Sequence, residues 1–399
     1  MLASELGGPD SAPVRVQILG EKLVAFRDTS GNVGLMGAYC PHRRANLYWG
    51  RNEQHGLRCV YHGWKFDVRG NCTDLPNCPE GATLQSRVRT TAYPTLERGG
   101  VLWAYMGPPD RQPEFPNYEG FHVPESHRFI RKMIAKGNYL QLMEGDVDSS
   151  HVSFLHSNED HTPMPGGRVD PNIFIERTPK WFPHETNYGL MLAAQRNAGP
   201  DQYHWRINQF LMPYITLVAA PPGTPVLHQV RVPVDDETSL HFRCFIHPNR
   251  PLTPDEIATY KDGVLVPQID PLTFETIENI DNEYGIDREV QRTTSYSGIT
   301  SIVAQDLAVT QDQGGGWIAD RSGEYLVSSD RAIILLRKRL LTAAKALQRG
   351  IEPPEPRNDT AFAVRPGDFM LARDVSLEDG ARELQLVGPE PIGLGAAVE

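Results

Sequence analysis

Two short Cys/His pairs constrain this chain more than any other feature. Cys40-Pro41-His42 is followed, after sixteen residues, by Cys59-Val60-Tyr61-His62, giving the pattern C-x-H…C-x-x-H. Loops on a rigid scaffold of strands can bring such pairs to one point. Three readings are open: two unrelated pairs, a tetrahedral zinc site, or an iron–sulfur cluster with both thiolates on one iron and both imidazoles on the other. Zinc fingers and ribbons usually open with a closely spaced pair of cysteines. Here each pair offers one Cys and one His. That asymmetry fits a mixed-ligand [2Fe–2S] cluster, whose imidazole ligands raise its potential above that of all-cysteine clusters.

The surrounding sequence favours β structure. Frequent Gly and Pro, 35 and 33 residues, punctuate the chain into short segments. Val14–Leu19, Lys22–Arg27 and Val33–Met36 read as strands, with turns at Gly20-Glu21 and Ser30-Gly31-Asn32. Val88–Tyr93 and Val101–Met106 add two more, so a small antiparallel sandwich or barrel is expected. Gly107–Pro113 has the composition of a linker. From Asn138 to Phe154 the spacing of Leu140, Met143, Val147 and Phe154 is helical, and residues 168–247 alternate like strands. Asp330–Gln348 reads as an amphipathic helix, and the stretch after Gly350 as an extended tail. The fold class is therefore α+β, an all-β domain followed by a larger mixed one.

Several functions are excluded. A net charge of −11 is the wrong sign for a phosphate backbone, so no nucleic-acid partner is expected. No apolar run approaches the ~20 residues that span a bilayer. The opening Met1–Glu5 has neither a basic nor an apolar signal region, and five cysteines do not make a disulfide scaffold. A cytoplasmic protein is expected, with Cys72 and Cys78 free and Cys244 in the core.

A second constellation lies in the helical stretch, where Asp148, His151 and His156 fall within nine residues. On an ideal helix His151 and His156 would stand about 140° apart. They can share one metal only if the helix distorts or ends between them, so a π-type bulge or a break is expected there. Two His and one carboxylate with open positions form the facial triad of non-haem Fe(II) oxygenases. Spacing does not fix the carboxylate; Glu159, Asp160, Asp306 and Asp312 are all candidates.

The first constellation, with Gly63-Trp64-Lys65-Phe66 after its second His, resembles the Rieske domain of ring-hydroxylating oxygenase large subunits. Gln305–Asp330, including Ala319-Asp320-Arg321 and Ser328-Ser329-Asp330, is similar to the phthalate dioxygenase-like branch. The resemblance runs from about Val14 to Leu347, and family members usually carry a few dozen more residues before the first strand. It implies a Rieske [2Fe–2S] domain over residues 1–115 and a catalytic domain over 116–399. The latter would have an antiparallel sheet flanked by helices, a helix-grip-like arrangement. Cys40 and Cys59 would bind one iron of the cluster, and His42 and His62 the other. Asp306 would join His151 and His156 on a mononuclear Fe(II). Asp148 would bridge the two centres across a subunit interface, with Asn138, Gln141 and Glu144 on the same helix. A head-to-tail homotrimer, or a hexamer of stacked trimers, follows from that bridge.

The activity implied is O2-dependent hydroxylation or dihydroxylation of an aromatic carboxylate. Its alternative is O-demethylation of methoxylated, lignin-derived aromatic acids. Electrons from NAD(P)H would come through a separate flavin/iron–sulfur reductase, since neither a Gly-x-Gly-x-x-Gly fingerprint nor a plant-type four-cysteine motif is found here. A carboxylate substrate calls for a basic clamp, and Lys180, Arg196 and Arg206 lie in the strand region expected to wall the pocket. An electron carrier using only the first site, or a zinc-stabilised binding module, would leave residues 138–156 and 305–330 unexplained.

Overall fold

Left-handed residues set the first hairpin. Leu19 and Gly20 both have positive φ, 51° and 77°, so strands β1 (Val14–Ile18) and β2 (Glu21–Arg27) are joined by a two-residue turn. The turn falls one residue earlier than the sequence suggested, because such a turn takes both of its central residues from the left-handed region. The computed structural model describes residues 1–79, 81–164 and 169–383. It divides into two compact units, Met1–Pro113 and Glu114–Glu399.

In the first unit β1, β2, β3 (Val33–Gly37) and β8 (Ala92–Tyr93) form one antiparallel sheet. Strands β4 (Arg51–Glu53), β5 (Gly56–Arg58), β6 (Lys65–Phe66) and β7 (Cys72–Asp74) form another, and β9 (Thr95–Arg98) pairs with β10 (Val101–Ala104). Strand β2 is buried on both faces. Leu23 and Ala25 join a cluster with Leu6, Leu35 and Leu102, whereas Val24 and Phe26 pack with Met36, Leu57, Phe66, Cys40 and Cys59. Residues before Val14 pair along this unit's edge: the Leu102 amide donates to the Met1 carbonyl and the Ala3 amide to the Gly100 carbonyl.

The second unit is built on an eight-stranded antiparallel sheet in the order β11 (Arg128–Lys136), β17 (Thr238–Ile246), β16 (Val226–Pro233), β15 (Ile215–Val218), β14 (Gln202–Leu211), β13 (Gly189–Asn197), β12 (Lys180–Glu185). The last strand, β18 (Gly367–Ala372), pairs with the first half of β14. Residues after Gly350 are thus not an extended tail as far as residue 383. Phe369 of β18 and Ala381 of helix α5 (Leu377–Glu383) pack with Met191, Ala193, Trp205 and Ile207 on one face of the sheet. The 384–399 part of the expected tail lies outside the described residues.

On the opposite face, Leu190, Leu192, Ala194 and Phe210 bury Met143 and Val147 of helix α1 (Tyr139–Val147) and Ala332 and Leu336 of helix α4 (Arg331–Gln348). Helix α3 (Ile302–Thr310) packs Val303, Ala304 and Leu307 around Leu142 and Met133. The helical stretch expected over 138–154 is two helices, α1 and α2 (Val152–Leu155), separated by an extended Asp148 at φ −81°, ψ 113°. Helix α1 is held by charge as well as by apolar contact. Asp146 receives a bidentate Arg231 guanidinium at 2.5 and 2.6 Å, and Glu144 receives Arg337 and Arg321. Both carboxylates are buried, and removing the partner of a buried charge typically costs about 3–5 kcal/mol.

Burial also fixes two neutral histidines in this unit. It pushes His228 down to about 4, and it lowers His241 well below the usual imidazole value, with Arg231 and Arg243 adding to the effect. Unfolded, both titrate near ~6.5. The unfolded chain therefore binds more protons below that pH, and stability falls as pH drops from ~6.5 towards ~4. Each group contributes up to about 1.4 kcal/mol per pH unit. His151 shifts upward, a contribution that is complete once the pH has fallen below ~6.5 and does not offset the loss below it. The urea midpoint, followed by tryptophan fluorescence, is expected to be lower at pH 5 than at pH 7; an equal or higher midpoint at pH 5 contradicts this.

Candidate metal centres and substrate cavity

The first Cys/His pair sits between β3 and β4, and the second between β5 and β6. Each turns back on itself: the Arg44 amide donates to the Cys40 carbonyl and the Gly63 amide to Cys59. Gly63 has φ +80°, and a Cβ there would meet Pro76 Cγ at 2.6 Å, so the second turn needs glycine. The His42 and His62 ring centres are 4.5 Å apart, and His42 stacks on Trp64 at 4.5 Å. Cys40 and Cys59 are buried and unbridged. Burial, with the adjoining Cys59 thiol, pushes Cys40 up to about 11. Two buried thiols and two facing imidazoles, with the buried His42 Nδ1 lacking a hydrogen-bond partner, fit a cationic iron centre that favours the thiolate form.

In the second unit, α2 ends at Leu155, so His156 leaves the helix. This end, which falls between the two histidines, allows both imidazoles to aim at one point. His156 Nε2 is 3.0 Å and His151 Nε2 3.7 Å from Asp306 Oδ1, and the rings are 5.0 Å apart. Donor atoms of all three residues lie within 4.8 Å of one another. Of the four carboxylates that spacing left open, Asp306 of α3 is brought to the histidine pair. Burial would raise its carboxyl, but His156, His151 and Arg243 bring it down to about 2. The set is two imidazole nitrogens and one carboxylate oxygen beside a cavity, which fits a ferrous ion with open positions.

The remaining nitrogens of both rings face acceptors. Gln305 is fully buried, and its Nε2 donates to the Ile299 carbonyl at 2.6 Å. Its Oε1, 2.7 Å from His156 Nδ1, must therefore accept, which places the proton on Nδ1 and leaves Nε2 free to ligate. Asp148 Oδ2 lies 3.3 Å from His151 Nδ1, in electrostatic contact without a formed hydrogen bond. The same carboxylate accepts the backbone amides of Ser150 and His151. Asn138 caps α1, and Gln141 ties it to the carbonyls of Thr310 and Gln311 and to the Ala319 amide.

A cavity of about 140 Å³ adjoins His151, His156 and Asp306. Arg206 of β14 and Arg243 of β17 are on its wall. Both are buried, and the Nε of each has no hydrogen-bond partner. Arg243 donates to Gln229 Oε1 at 2.5 Å and makes no salt bridge among the described residues. Burial lowers it to about 10, so it stays charged at neutral pH. Val218, Leu227, Phe245, Leu265 and Ile302 supply apolar wall.

Two of the three expected clamp residues do not reach this cavity. Lys180 is exposed on the edge strand β12, its ammonium over the Phe182 ring at 4.9 Å. Arg196 is buried and holds the chain itself, donating from Nε to the Glu176 carbonyl and from Nη2 to the Ser149 carbonyl and hydroxyl, with Nη1 unpartnered. Arg206 lies on the cavity wall. Arg243 was missed because, between Phe242 and Cys244, it reads as the solvent side of an alternating strand. A second group with metal-ligand geometry, Asp170, His204 and Asp368, is already engaged in hydrogen bonds: Asp170 with Asn172, and Asp368 with His204 and Arg206.

Comparison with known proteins agrees with this architecture. Residues 1–94 match the Rieske [2Fe-2S] domain, and residues 104–359 match the LigXa C-terminal domain like family. The phthalate 4,5-dioxygenase oxygenase subunit of Pseudomonas putida is 36% identical, covering 95% of this chain and 88% of its own length. The 3-chlorobenzoate-3,4-dioxygenase oxygenase subunit of Comamonas testosteroni is 35% identical, over 94% and 89%. Among solved structures, dicamba monooxygenase bound to dicamba superposes with a TM-score of 0.60 at 17% identity, covering 88% of this chain and 96% of that one, which speaks for the fold. The chain belongs to the Rieske oxygenase family, in the group whose C-terminal domain is of the LigXa type. Its cofactors are accordingly a Rieske [2Fe–2S] cluster and a mononuclear iron. No helix among the described residues is long and apolar enough to cross a membrane.

Gln305→Leu removes the acceptor that orients His156. Ferrous-ion affinity, measured by competition with a chromophoric chelator, is expected to fall about 10–100-fold. The visible spectrum of the cluster should not change. Unaltered affinity would remove Gln305 from the account.

Proposed function

We propose that this chain is the terminal oxygenase component of a multicomponent system and hydroxylates or dihydroxylates an aromatic carboxylate. Electrons would come from NAD(P)H through a separate flavin/iron–sulfur reductase. The observation that carries the substrate class is the pair of buried guanidiniums, Arg206 and Arg243, on the wall of the cavity beside His151, His156 and Asp306. A buried cation without a full complement of partners is costly unless an anion completes it. A planar carboxylate matches the guanidinium fork. The apolar remainder of the wall suits an aromatic ring, and two relatives are named for phthalate and 3-chlorobenzoate.

In this reading Cys40, Cys59, His42 and His62 would hold the cluster, and His151, His156 and Asp306 the ferrous ion, which together supply electron transfer and O2 activation when bound. The other residues bind and orient. Gln305 holds the proton on His156 Nδ1, and Asp148 stands ready to hold the one on His151 Nδ1. Arg206 and Arg243 take the substrate carboxylate, while Leu227, Leu265 and Ile302 keep water from the ring. Asp148 is 19% exposed, which leaves its carboxylate open to one further donor. We assign that donor to a cluster-ligating imidazole of a neighbouring copy, in a cytoplasmic homotrimer or stacked pair of trimers.

A second reading is O-demethylation of a methoxylated aromatic acid. It is favoured by the 5,5'-dehydrodivanillate O-demethylase oxygenase subunit of Sphingobium sp., 32% identical over 90% of this chain and 77% of its own length. Turnover under ¹⁸O2 with a reductase, offering phthalate and methoxybenzoates, separates the two. Two labelled oxygens on the ring are expected; release of formaldehyde instead establishes the second reading. In either case Arg243→Gln should raise KM at least about tenfold, since loss of a buried charge partner costs about 2–5 kcal/mol. An unchanged KM in the variant, or wild-type turnover of neutral aromatics faster than that of their carboxylates, contradicts the carboxylate clamp.

A further inference from the structure

The two cavity arginines are anchored differently. Arg243 leans on a neutral amide, Gln229. Arg206 leans on a carboxylate, Asp368, which lies outside the 104–359 family match and in the stretch whose composition suggested a tail. We propose that Asp368 is a positioning residue for substrate recognition, fixing Arg206 by one edge so that the rest of its guanidinium serves the substrate carboxylate. The inference rests on the aromatic-carboxylate reading above and extends it to a residue that does not touch the cavity.

The ladder dictates the contact. Arg206 and Asp368 are directly paired across β14 and β18, so their side chains emerge on the same face. On the other face Trp205, Ile207 and Phe369 fill an apolar cluster that holds the two strands in register. Asp368 Oδ2 accepts from Arg206 Nη1 at 3.0 Å, and Oδ1 is 2.5 Å from His204 Nε2. His204 is fully buried and two residues from Arg206 on the same face, so Asp368 is itself held from the far side. Burial alone would raise the Asp368 carboxyl; the hydrogen bond from His204 and the charge of Arg206 bring it below the usual range, so it remains an anion.

Only one of the Arg206 terminal nitrogens is used in this pair, and its Nε is buried without a partner. Donors of this guanidinium, which is on the cavity wall, thus remain for a ligand. Arginine is flexible, and a side chain held in place before binding loses less freedom when the ligand arrives. Asp368 and His204 line no part of the cavity, so their effect on binding is exerted through Arg206.

The test is calorimetric titration of the anaerobic holoenzyme with two carboxylate/amide pairs, phthalate against phthalamide and 3-chlorobenzoate against 3-chlorobenzamide. In Asp368→Asn, carboxylate affinity is expected to fall about tenfold while amide affinity and iron content stay as in the wild type. Arg206→Gln should show the same selective loss, and the double variant should be no worse than Arg206→Gln alone. If Asp368→Asn does not accumulate as holoenzyme, His204→Leu, which frees the far side of the carboxylate, should give the same selective loss. An equal loss for carboxylate and amide, or additive losses in the double variant, overturns the proposal. So does wild-type affinity in Asp368→Asn when Arg206→Gln is impaired. Wild-type affinity in Arg206→Gln, or no preference for carboxylates in the wild type, removes the underlying substrate reading and the proposal with it.

Discussion

Two imidazoles five residues apart must reach one point, and the chain meets that demand by ending a short helix between them. A continuous helix would hold His151 and His156 about 140° apart. Instead α2 ends at Leu155 and His156 leaves it. Ahead of both, α1 stops at Val147, the backbone extends at Asp148, and the Asp148 carboxylate takes up the amides of Ser150 and His151 that this break exposes. The same carboxylate then faces the His151 ring. A cap and a ligand-orienting group are thus one side chain. Behind the break, Arg196 grips Ser149, while Asp146 and Glu144 fasten the preceding turn to Arg231, Arg321 and Arg337. The break persists because buried ion pairs and the Met143–Val147 packing fix both of its sides.

This explains an oddity of β14 and β17. Strands buried on both faces usually read as near-continuous apolar runs. Here one face of β14 carries His204, Arg206 and Asn208, and β17 carries His241 and Arg243, all buried. Arg206 pairs with Asp368, and Arg243 feels the charges of Asp306 and Asp146 without a salt bridge to either. In a medium of low dielectric such groups hold one another in place and act strongly on whatever anion enters. The sheet therefore serves as the wall of the cavity as well as the support of α1.

What was legible in the sequence follows from this division. The Cys/His loops stand out because metal ligation demands those residue types at short spacings, whatever the fold around them. The need for the helix to distort or end between His151 and His156 follows from helical geometry alone, and α2 ends there at Leu155. Asp306 does not: it is about 150 residues from the histidines, and only the resemblance singled it out among four carboxylates. The substrate wall was the least legible part. Alternation distinguishes two faces of a strand, but it cannot say that both are dry, so Arg206 and Arg196 looked alike and Arg243 looked like a surface residue. Nor could composition show that Gly367–Ala372, set among prolines and glycines, completes the sheet.

The central claim is that His151, His156 and Asp306 hold one iron and that Asp148 works beside it without being a ligand. Iron per chain, measured together with turnover in Asp306→Ala and Asp148→Asn, tests both halves at once. The account predicts one iron fewer than wild type in Asp306→Ala, with the cluster spectrum intact. It predicts a full iron complement but severely slowed turnover in Asp148→Asn. A full complement in Asp306→Ala, or unimpaired turnover in Asp148→Asn, would contradict it.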